Sequence, residues 1–171
     1  MNKKKEVIQT ERLTLSAFKK SDKEEAVKIF FDESVKKTYM IPDYTSVAQA
    51  EALFERMKAY SESEDHFLYA IRLEGKLIGF LNDTEIKDGS IEIGYVISPG
   101  YQRKGYMTEA FKACIEELFS LGFHEVRAGF FIENIASRRV MEKCGMKPTG
   151  EEDMIEYKGI MHRCAYYSIK N

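Results

Sequence analysis

One short segment of the chain places anion-binding groups beside a residue that has no side chain. Gln102, Arg103, Lys104 and Gly105 follow Pro99, which ends a strand because proline cannot continue its hydrogen-bond ladder. A helical pattern begins after them, so free backbone amides meet the positive end of the helix dipole. A pyrophosphate can approach the backbone closely at Gly105, and the two cations add charge. The alternative reading is an ordinary polar turn before an amphipathic helix.

The strand that leads into this loop has two different faces. Residues 91–97 carry large apolar side chains at the odd positions, whereas Glu92, Gly94 and Val96 share the opposite face. Alternation of this kind is typical of a strand that is buried on at least one side. The pattern therefore puts one carboxylate, Glu92, on the same face as Val96.

The surrounding periodicities predict the elements that must hold the loop in place. Their order is strand, two helices, three strands, helix, strand, helix, two strands. The first strand covers residues 11–18. Ser21 and Ser46, each followed three residues later by Glu or Gln, predict the starts of the first two helices. The helix after the loop runs from about Lys104 to Leu121. This order predicts an α/β (α+β) fold, a mixed sheet with helices on both faces.

Composition narrows the class of protein. A chain of 171 residues fits one domain, which we expect to span residues 1–171. The 26 basic and 28 acidic side chains give a net charge of -2, which argues against nucleic acid as the main ligand. No apolar stretch approaches a membrane span of about 18 residues, and Met1–Thr10 lacks the apolar core of a secretory signal. We therefore expect a cytoplasmic protein with no membrane partner.

Cysteine and histidine spacing gives no sign of a metal site. Cys114, Cys144 and Cys164 lie far apart, so we expect buried free thiols in a reducing compartment. The three histidines have no partner at ligand spacing, and no metal is predicted.

Several segments together resemble one known family. Gln102-Arg-Lys-Gly105-Tyr-Met107 resembles the Gln/Arg-x-x-Gly-x-Gly/Ala signature of the GNAT superfamily of acetyltransferases. Four further segments resemble the RimJ/RimL-like branch of this superfamily. They are Ile93-Gly94-Tyr95, Glu109-Ala110, the Asn134–Gly145 helix and the opening Thr10–Leu13. Matches in the right order over nearly the whole chain are more specific than one motif. The resemblance implies a single GNAT-like domain with a mostly antiparallel sheet of about seven strands.

The resemblance also implies a cosubstrate and the residues that hold it. Acetyl-CoA would lie in a V-shaped opening between the strands at 90–97 and 124–132, with its pantetheine on the first strand and its pyrophosphate on the loop amides. Asn134 and Ser137 would contact the pantetheine near the thiol. The implied binding residues are Tyr95, Val96, Ile97, Gln102, Arg103, Lys104, Gly105, Tyr106, Met107, Thr108, Asn134 and Ser137.

Acetylation of an amine needs few catalytic groups. An amine must lose a proton to attack a thioester, and Glu92 is the candidate base because it shares a strand face with Val96. The alternative is that Glu92 is a surface or salt-bridged carboxylate. The amide of Val96 is the expected oxyanion donor. Ser137 is a candidate proton donor to the thiolate, although it fits a pantetheine contact better. Tyr157, Tyr166 and Tyr167 near the end are open alternatives.

The predicted activity is acetyl transfer from acetyl-CoA to a primary amine, either a protein N-terminus or a small molecule. The alternative is a degenerate module of the same fold that binds acyl-CoA without turnover. Met107 stands where the signature has glycine or alanine, and Met141 stands where many superfamily members have a thiolate-protonating tyrosine. Ser16 replaces an arginine common in the opening strand. The sequence leaves the acceptor open, as well as the choice between monomer and homodimer.

Overall fold

The computed structural model describes residues 3–42 and 44–171, and these residues form one sheet flanked by helices. The strands are β1 (Val7–Gln9), β2 (Leu13–Ser16), β3 (Leu68–Leu73), β4 (Lys76–Lys87), β5 (Ser90–Ile97), β6 (Glu125–Phe131), β7 (Lys147–Tyr157) and β8 (Ile160–Lys170). The helices are α1 (Lys23–Phe31), α2 (Glu33–Lys36), α3 (Val47–Glu62), α4 (Tyr106–Ser120) and α5 (Ile135–Lys143).

The sheet has the order β1-β2-β3-β4-β5-β6-β8-β7. Its pairs are antiparallel except for β5 and β6, which are parallel. The predicted single α/β domain with a mixed, mostly antiparallel sheet is confirmed, and the described sheet has eight strands instead of about seven. The additional strand is β1. It pairs with β2 through a turn in which the Leu13 amide donates to Thr10 Oγ1 at 3.0 Å.

Helices cover both faces of the sheet, as the element order predicted. One face packs against α4 and α5 around Phe111, and the other packs against α1 and α3 around Phe54. Full burial of one such side chain contributes roughly 1.5–3 kcal/mol. The strand β5 serves both layers, because Ile91 and Ile93 face α4 whereas Val96 faces the layer of α1 and α3. The predicted alternation along this strand is therefore confirmed.

The parallel strands β5 and β6 separate part of the way along their length. Their register runs from Ser90 and Glu125 to Glu92 and Arg127 and goes no further, although β5 continues to Ile97. Beyond that point β5 stays paired with β4, and β6 stays paired with β8. Because each strand is held by its outer neighbour, a V-shaped opening lies between them.

The predicted helix starts have different outcomes. Ser46 caps α3, since its Oγ accepts from the Gln49 amide at 3.4 Å. The capping box predicted from Ser21 is wrong. Asp22 accepts from the Lys19 amide at 2.6 Å, and α1 begins after it. Asp22 also forms a buried ion pair with Arg72 of β3, which ties this turn to the sheet. No helix in residues 3–42 and 44–171 is long and apolar enough to cross a membrane.

Candidate active site

The loop before α4 has the backbone shape of an anion cradle. Gly105 is the N-cap of α4 and has a φ of 81°, which favours glycine over residues that have a Cβ. The first intrahelical bond runs from the Glu109 amide to the Gly105 carbonyl at 3.0 Å. The amides of Tyr106, Met107 and Thr108 precede that bond, so they have no partner within the helix. They point outward at the positive end of the helix dipole.

The polar side chains of the same loop fix its shape. Gln102 Nε2 donates to the Ile97 carbonyl at 3.2 Å, which ties the loop to the end of β5. Lys104 Nζ donates to the Gly100 carbonyl at 3.0 Å. Arg103 is exposed and has a φ of 63°. The two cations therefore lie beside the free amides, where they add positive potential for an anion.

An ion pair between distant segments holds the cradle in position. Arg12 Nε donates to Glu109 Oε2 at 2.7 Å, and Arg12 Nη1 donates to the Lys104 carbonyl at 3.1 Å. Glu109 Oε1 also accepts from Thr10 Oγ1 at 2.6 Å. Burial favours a raised pKa for the Glu109 carboxyl, but these hydrogen bonds outweigh it and lower the pKa. Sequence reasoning used Arg12 only as part of a matched motif and missed this contact.

Backbone orientation along β5 decides which groups face the opening. The Ser98 amide donates to the Ile78 carbonyl at 2.8 Å, and the Val96 carbonyl is turned toward Gly79 of β4. In an antiparallel ladder, residues alternate between those whose amide and carbonyl point to one neighbour and those that point away. The backbone groups of Tyr95 and Ile97 therefore face the opening, and those of Val96 face β4.

A pair of hydroxyl groups joins β5 to α5 near the mouth of the opening. The Tyr95 hydroxyl lies 2.8 Å from Ser137 Oγ, and its ring centroid lies 5.0 Å from that of Phe111. Asn134 Oδ1 accepts from the Ser137 amide at 3.1 Å, so its side chain is the N-cap of α5. Burial raises the pKa of Tyr95, which keeps its hydroxyl protonated at neutral pH.

Glu92 lies on the other face of β5, half-buried beside polar groups of three neighbouring strands. Its Oε1 accepts from Thr84 Oγ1 at 3.1 Å. Burial raises the pKa of the Glu92 carboxyl, and the negative charges of Glu85 and Asp153 add to this effect. The Thr84 hydrogen bond and the positive charge of Arg127 oppose it. A carboxylate with a raised pKa, at the last paired position before β5 and β6 separate, has the properties of a candidate general base.

Comparisons with known proteins identify the family. The acetyltransferase (GNAT) domain model matches residues 12–147. This chain belongs to the GNAT acetyltransferase family. It is 32% identical to YnaD, an uncharacterized N-acetyltransferase of Bacillus subtilis (strain 168), over 84% of each protein. The predicted enzyme class, an N-acetyltransferase, is thereby confirmed.

Solved structures of GNAT proteins share the fold. The acetyltransferase (GNAT family) from Bacillus anthracis is 27% identical and superposes with a TM-score of 0.81, covering 96% of this chain and 98% of that one. RimL, a ribosomal L7/L12 alpha-N-protein acetyltransferase, was solved in complex with coenzyme A. It superposes with a TM-score of 0.83 at 18% identity, with 96% of this chain and 98% of RimL covered. At that identity the match to RimL shows the fold alone.

The departures from the GNAT signature have structural explanations. Met107 and Met141 both bury their side chains in the core beside α4, so neither side chain lies among the outward-pointing amides. Ser16 Oγ accepts from Arg72 Nη1 at 2.7 Å, and Arg72 also pairs with the buried Asp22. Arg72 of β3 therefore contacts Ser16, where other family members have an arginine in the opening strand itself.

The tyrosines considered as proton donors have different partners. Tyr166 donates to Asp153 Oδ2 at 3.1 Å, in the surroundings of Glu92. Tyr167 lies 3.4 Å from a carboxylate oxygen of α5. Tyr157 is used for structure, since its hydroxyl lies 2.7 Å from the Lys36 carbonyl. None of these three contacts involves Ser137.

The cysteines are buried thiols, and Cys144 Sγ donates to the Thr108 carbonyl at 3.7 Å. Cys114, Cys144 and Cys164 are free and buried, as predicted. Burial raises the pKa of Cys144 to about 12, so its thiol stays protonated at neutral pH. Among the residues that the structure describes, no three histidine, cysteine or acidic side chains stand together as metal ligands do.

Proposed function

We propose that this protein transfers the acetyl group of acetyl-CoA to a primary amine. One arrangement carries the proposal: the opening between β5 and β6 has the amide cradle of α4 at one end and the Tyr95–Ser137 pair along its side. A long ligand with an anionic end and a thioester end fits such a channel. RimL, which shares the fold, was solved in complex with coenzyme A, and this supports coenzyme A as the kind of ligand.

The cradle would hold the coenzyme by its pyrophosphate. Amides from Arg103 to Thr108 would donate to the phosphate oxygens, and the dipole of α4 adds roughly 0.3–1 kcal/mol. Gly105 has no Cβ to stand between the phosphate and the amides, and its φ of 81° favours glycine at this position. The backbone of Tyr95 and Ile97 would pair with the pantetheine, and Asn134 and Ser137 would flank its thiol end.

When bound, acetyl-CoA supplies the activated acyl group, and the residues of this chain handle charge and protons. Glu92 would accept a proton from the amine, directly or through water. The Ile97 amide would face the carbonyl oxygen as its negative charge grows, in place of the Val96 amide expected from the sequence, which points to β4. Ser137 would donate a proton to the departing thiolate, supported by the hydroxyl of Tyr95.

The acceptor is proposed at the level of an amine in general. The motifs of the RimJ/RimL-like branch favour a protein N-terminus, and a small amine is the second candidate. A thiol-release assay with acetyl-CoA and a panel of amines and N-terminal peptides tests the proposal. We expect at least one acceptor to accelerate thiol release well above hydrolysis. Binding of acetyl-CoA with no acceleration by any amine would instead support the alternative, an acyl-CoA-binding module.

A further inference from the structure

Besides the opening between β5 and β6, the structure has a cavity on the side of β5 that carries Glu92, Gly94 and Val96, where the acceptor should react. It has a volume of about 230 Å³. Its walls come from the segment at 39–42, from α3, from the beginning of β3 and from the middle of β4. Its apolar floor consists of Phe30, Leu53, Met57, Leu68 and Phe80.

Two of the cavity's wall residues also contact the β5 face. A Cβ built on Gly94 would lie 3.3 Å from Tyr39 Cε2 and 3.5 Å from Asn82 Oδ1. Asn82 is the ladder partner of Gly94. The side chains of Tyr39 and Asn82 therefore form the wall between the cavity and the face of β5 that carries Glu92 and Val96.

The cavity has an apolar floor and a polar edge that includes Arg56, His66, Asn82 and Asp83. Phe30, Leu68 and Phe80 are almost completely buried, and they line its floor. Asn82 Oδ1 accepts from the Tyr39 hydroxyl at 2.6 Å and retains a second lone pair for another donor. Pockets for whole drug-sized ligands usually measure about 300–1,000 Å³, so this smaller cavity suits one side chain or alkyl group.

We infer that this cavity is the acceptor's specificity subsite and that it takes the apolar side chain of a primary amine. This inference rests on the proposed acetyl transfer. With that group in the cavity, the amine lies near Asn82 and faces Glu92 across Gly94. The nitrogen then forms its bond to the acetyl carbon as the carbon–sulfur bond breaks. One proton leaves the nitrogen for the base and one reaches the sulfur, giving an acetamide and free coenzyme A thiol.

Matched acceptors test the subsite on the unmodified protein. Leucinamide and asparaginamide have side chains of similar size and opposite polarity, so their ratio of kcat/KM reports the chemistry of the cavity. We expect leucinamide to be acetylated at least tenfold more efficiently. Short peptides that begin with leucine or asparagine, together with 3-methylbutylamine, distinguish a peptide from a small-molecule source of the same apolar group.

Variants locate the effect in the cavity. Leu53→Trp should fill it and lower kcat/KM for leucinamide at least tenfold, whereas Met57→Ala should enlarge it and shift preference toward phenylalaninamide. Ala48→Trp places the same indole on an exposed part of α3 and should change neither value. Calorimetry with coenzyme A should give parental affinity for all three variants, which shows that each is folded.

The outcomes separate the subsite from the proposed transfer. Equal kcat/KM for leucinamide and asparaginamide overturns the subsite and leaves acetyl transfer intact. If Leu53→Trp and Met57→Ala both have parental kinetics and keep the apolar preference, the acceptor side chain is recognised elsewhere. That result would also overturn the proposed subsite. If no amine or peptide accelerates thiol release, the proposed transfer itself fails.

Discussion

The hydroxyl oxygen of Tyr95 lies 2.8 Å from the Oγ of Ser137 and 3.1 Å from its carbonyl oxygen. Tyr95 belongs to β5 and Ser137 belongs to the first turn of α5, so the contact joins the two sides of the opening. A serine hydroxyl is a weak acid, and a second hydroxyl beside it stabilises the negative charge that remains after it gives up a proton. We therefore propose the pair as the proton source, because Met141 has no group that can donate a proton.

This pair predicts coupled losses of turnover. Ser137→Ala should lower kcat by about 10²-fold, the lower end for general acid catalysis, and Tyr95→Phe should cause a smaller loss. Groups that act as one unit lose activity non-additively, so the double variant should be no slower than Ser137→Ala. Steady-state kinetics with saturating acetyl-CoA measures all three. Losses that multiply in the double variant would show that the two hydroxyls act independently.

The cradle predicts a specific effect of Gly105→Val. The new side chain would crowd the outward-pointing amides, so the dissociation constant for coenzyme A should rise at least tenfold, about 1.4 kcal/mol. Gly150→Val is the matched control. Gly150 has a φ of 83°, nothing surrounds its Cβ position, and it lies on β7. Both variants carry the same backbone strain, so only Gly105→Val should lose affinity by calorimetry. Parental affinity in a folded Gly105→Val would remove the cradle from the site.

Arg12 should matter for coenzyme binding although it lies outside the loop. Removing its bonds to Glu109 and Lys104 frees the cradle to move, so Arg12→Ala should weaken coenzyme A binding about fivefold, on the order of 1 kcal/mol. Arg163→Ala removes a comparable exposed ion pair, with Glu152 at 2.6 Å, and should leave affinity unchanged. Equal affinities for both variants would mean that the cradle needs no support from the opening strand.

Tyr157 predicts an effect on the acceptor side. Its hydroxyl accepts from the Ile41 amide at 3.3 Å and lies 3.2 Å from the Tyr39 carbonyl, so it fixes the segment at 39–42. Tyr157→Phe should raise KM for the amine several-fold and leave the coenzyme A dissociation constant unchanged. Tyr167→Phe is the control, because its exposed hydroxyl contacts only Glu142 among the described residues. A lowered kcat with unchanged KM in Tyr157→Phe would point to a chemical role instead.

Local patterns predicted the parts of the site that depend on neighbouring residues. The strand 90–97, the loop and the start of α4 follow from alternation, proline, glycine and helical spacing within about twenty residues. The Asn134 cap of α5 is equally local, since it acts over three residues. The order of helices and strands follows for the same reason.

The parts that were missed depend on contacts between distant segments. Arg12 and Glu109 are 97 positions apart, and Tyr157 and Ile41 are 116 apart. No periodicity connects such pairs, because only the folded sheet brings them together. The Ser21 cap failed for a different, local reason: Asp22 accepts from the Lys19 amide in a short 3₁₀ turn, so the first turn begins before Ser21.

The raised pKa of Glu92 predicts the pH dependence of stability. A carboxyl with a higher pKa in the folded chain than its ordinary value of 4.5 binds more protons when folded than when unfolded. The free energy of unfolding therefore falls as pH rises from that value through the raised one. Glu92→Gln removes this fall, so the variant should gain stability relative to the parent as the pH rises above 4.5. Thermal unfolding of the parent and the variant, measured as the pH rises, tests the burial of this charge. A stability difference between the two that does not change with pH would contradict it.

Glu92 also gives the most direct test of the chemical step. If Glu92 accepts the proton of the amine, Glu92→Gln keeps the shape and removes the base, so kcat should fall by about 10²-fold. Coenzyme A affinity should be parental, because the carboxylate lies on the opposite strand face from Tyr95. Raising the pH should partly restore the variant, since more of the amine is then already deprotonated. Glu74→Gln is the control: it changes an exposed carboxylate in the turn between β3 and β4 and should leave kcat near the parent value. Turnover of Glu92→Gln equal to the parent at neutral pH would show that the carboxylate is structural and that the proton leaves through water or through Tyr166.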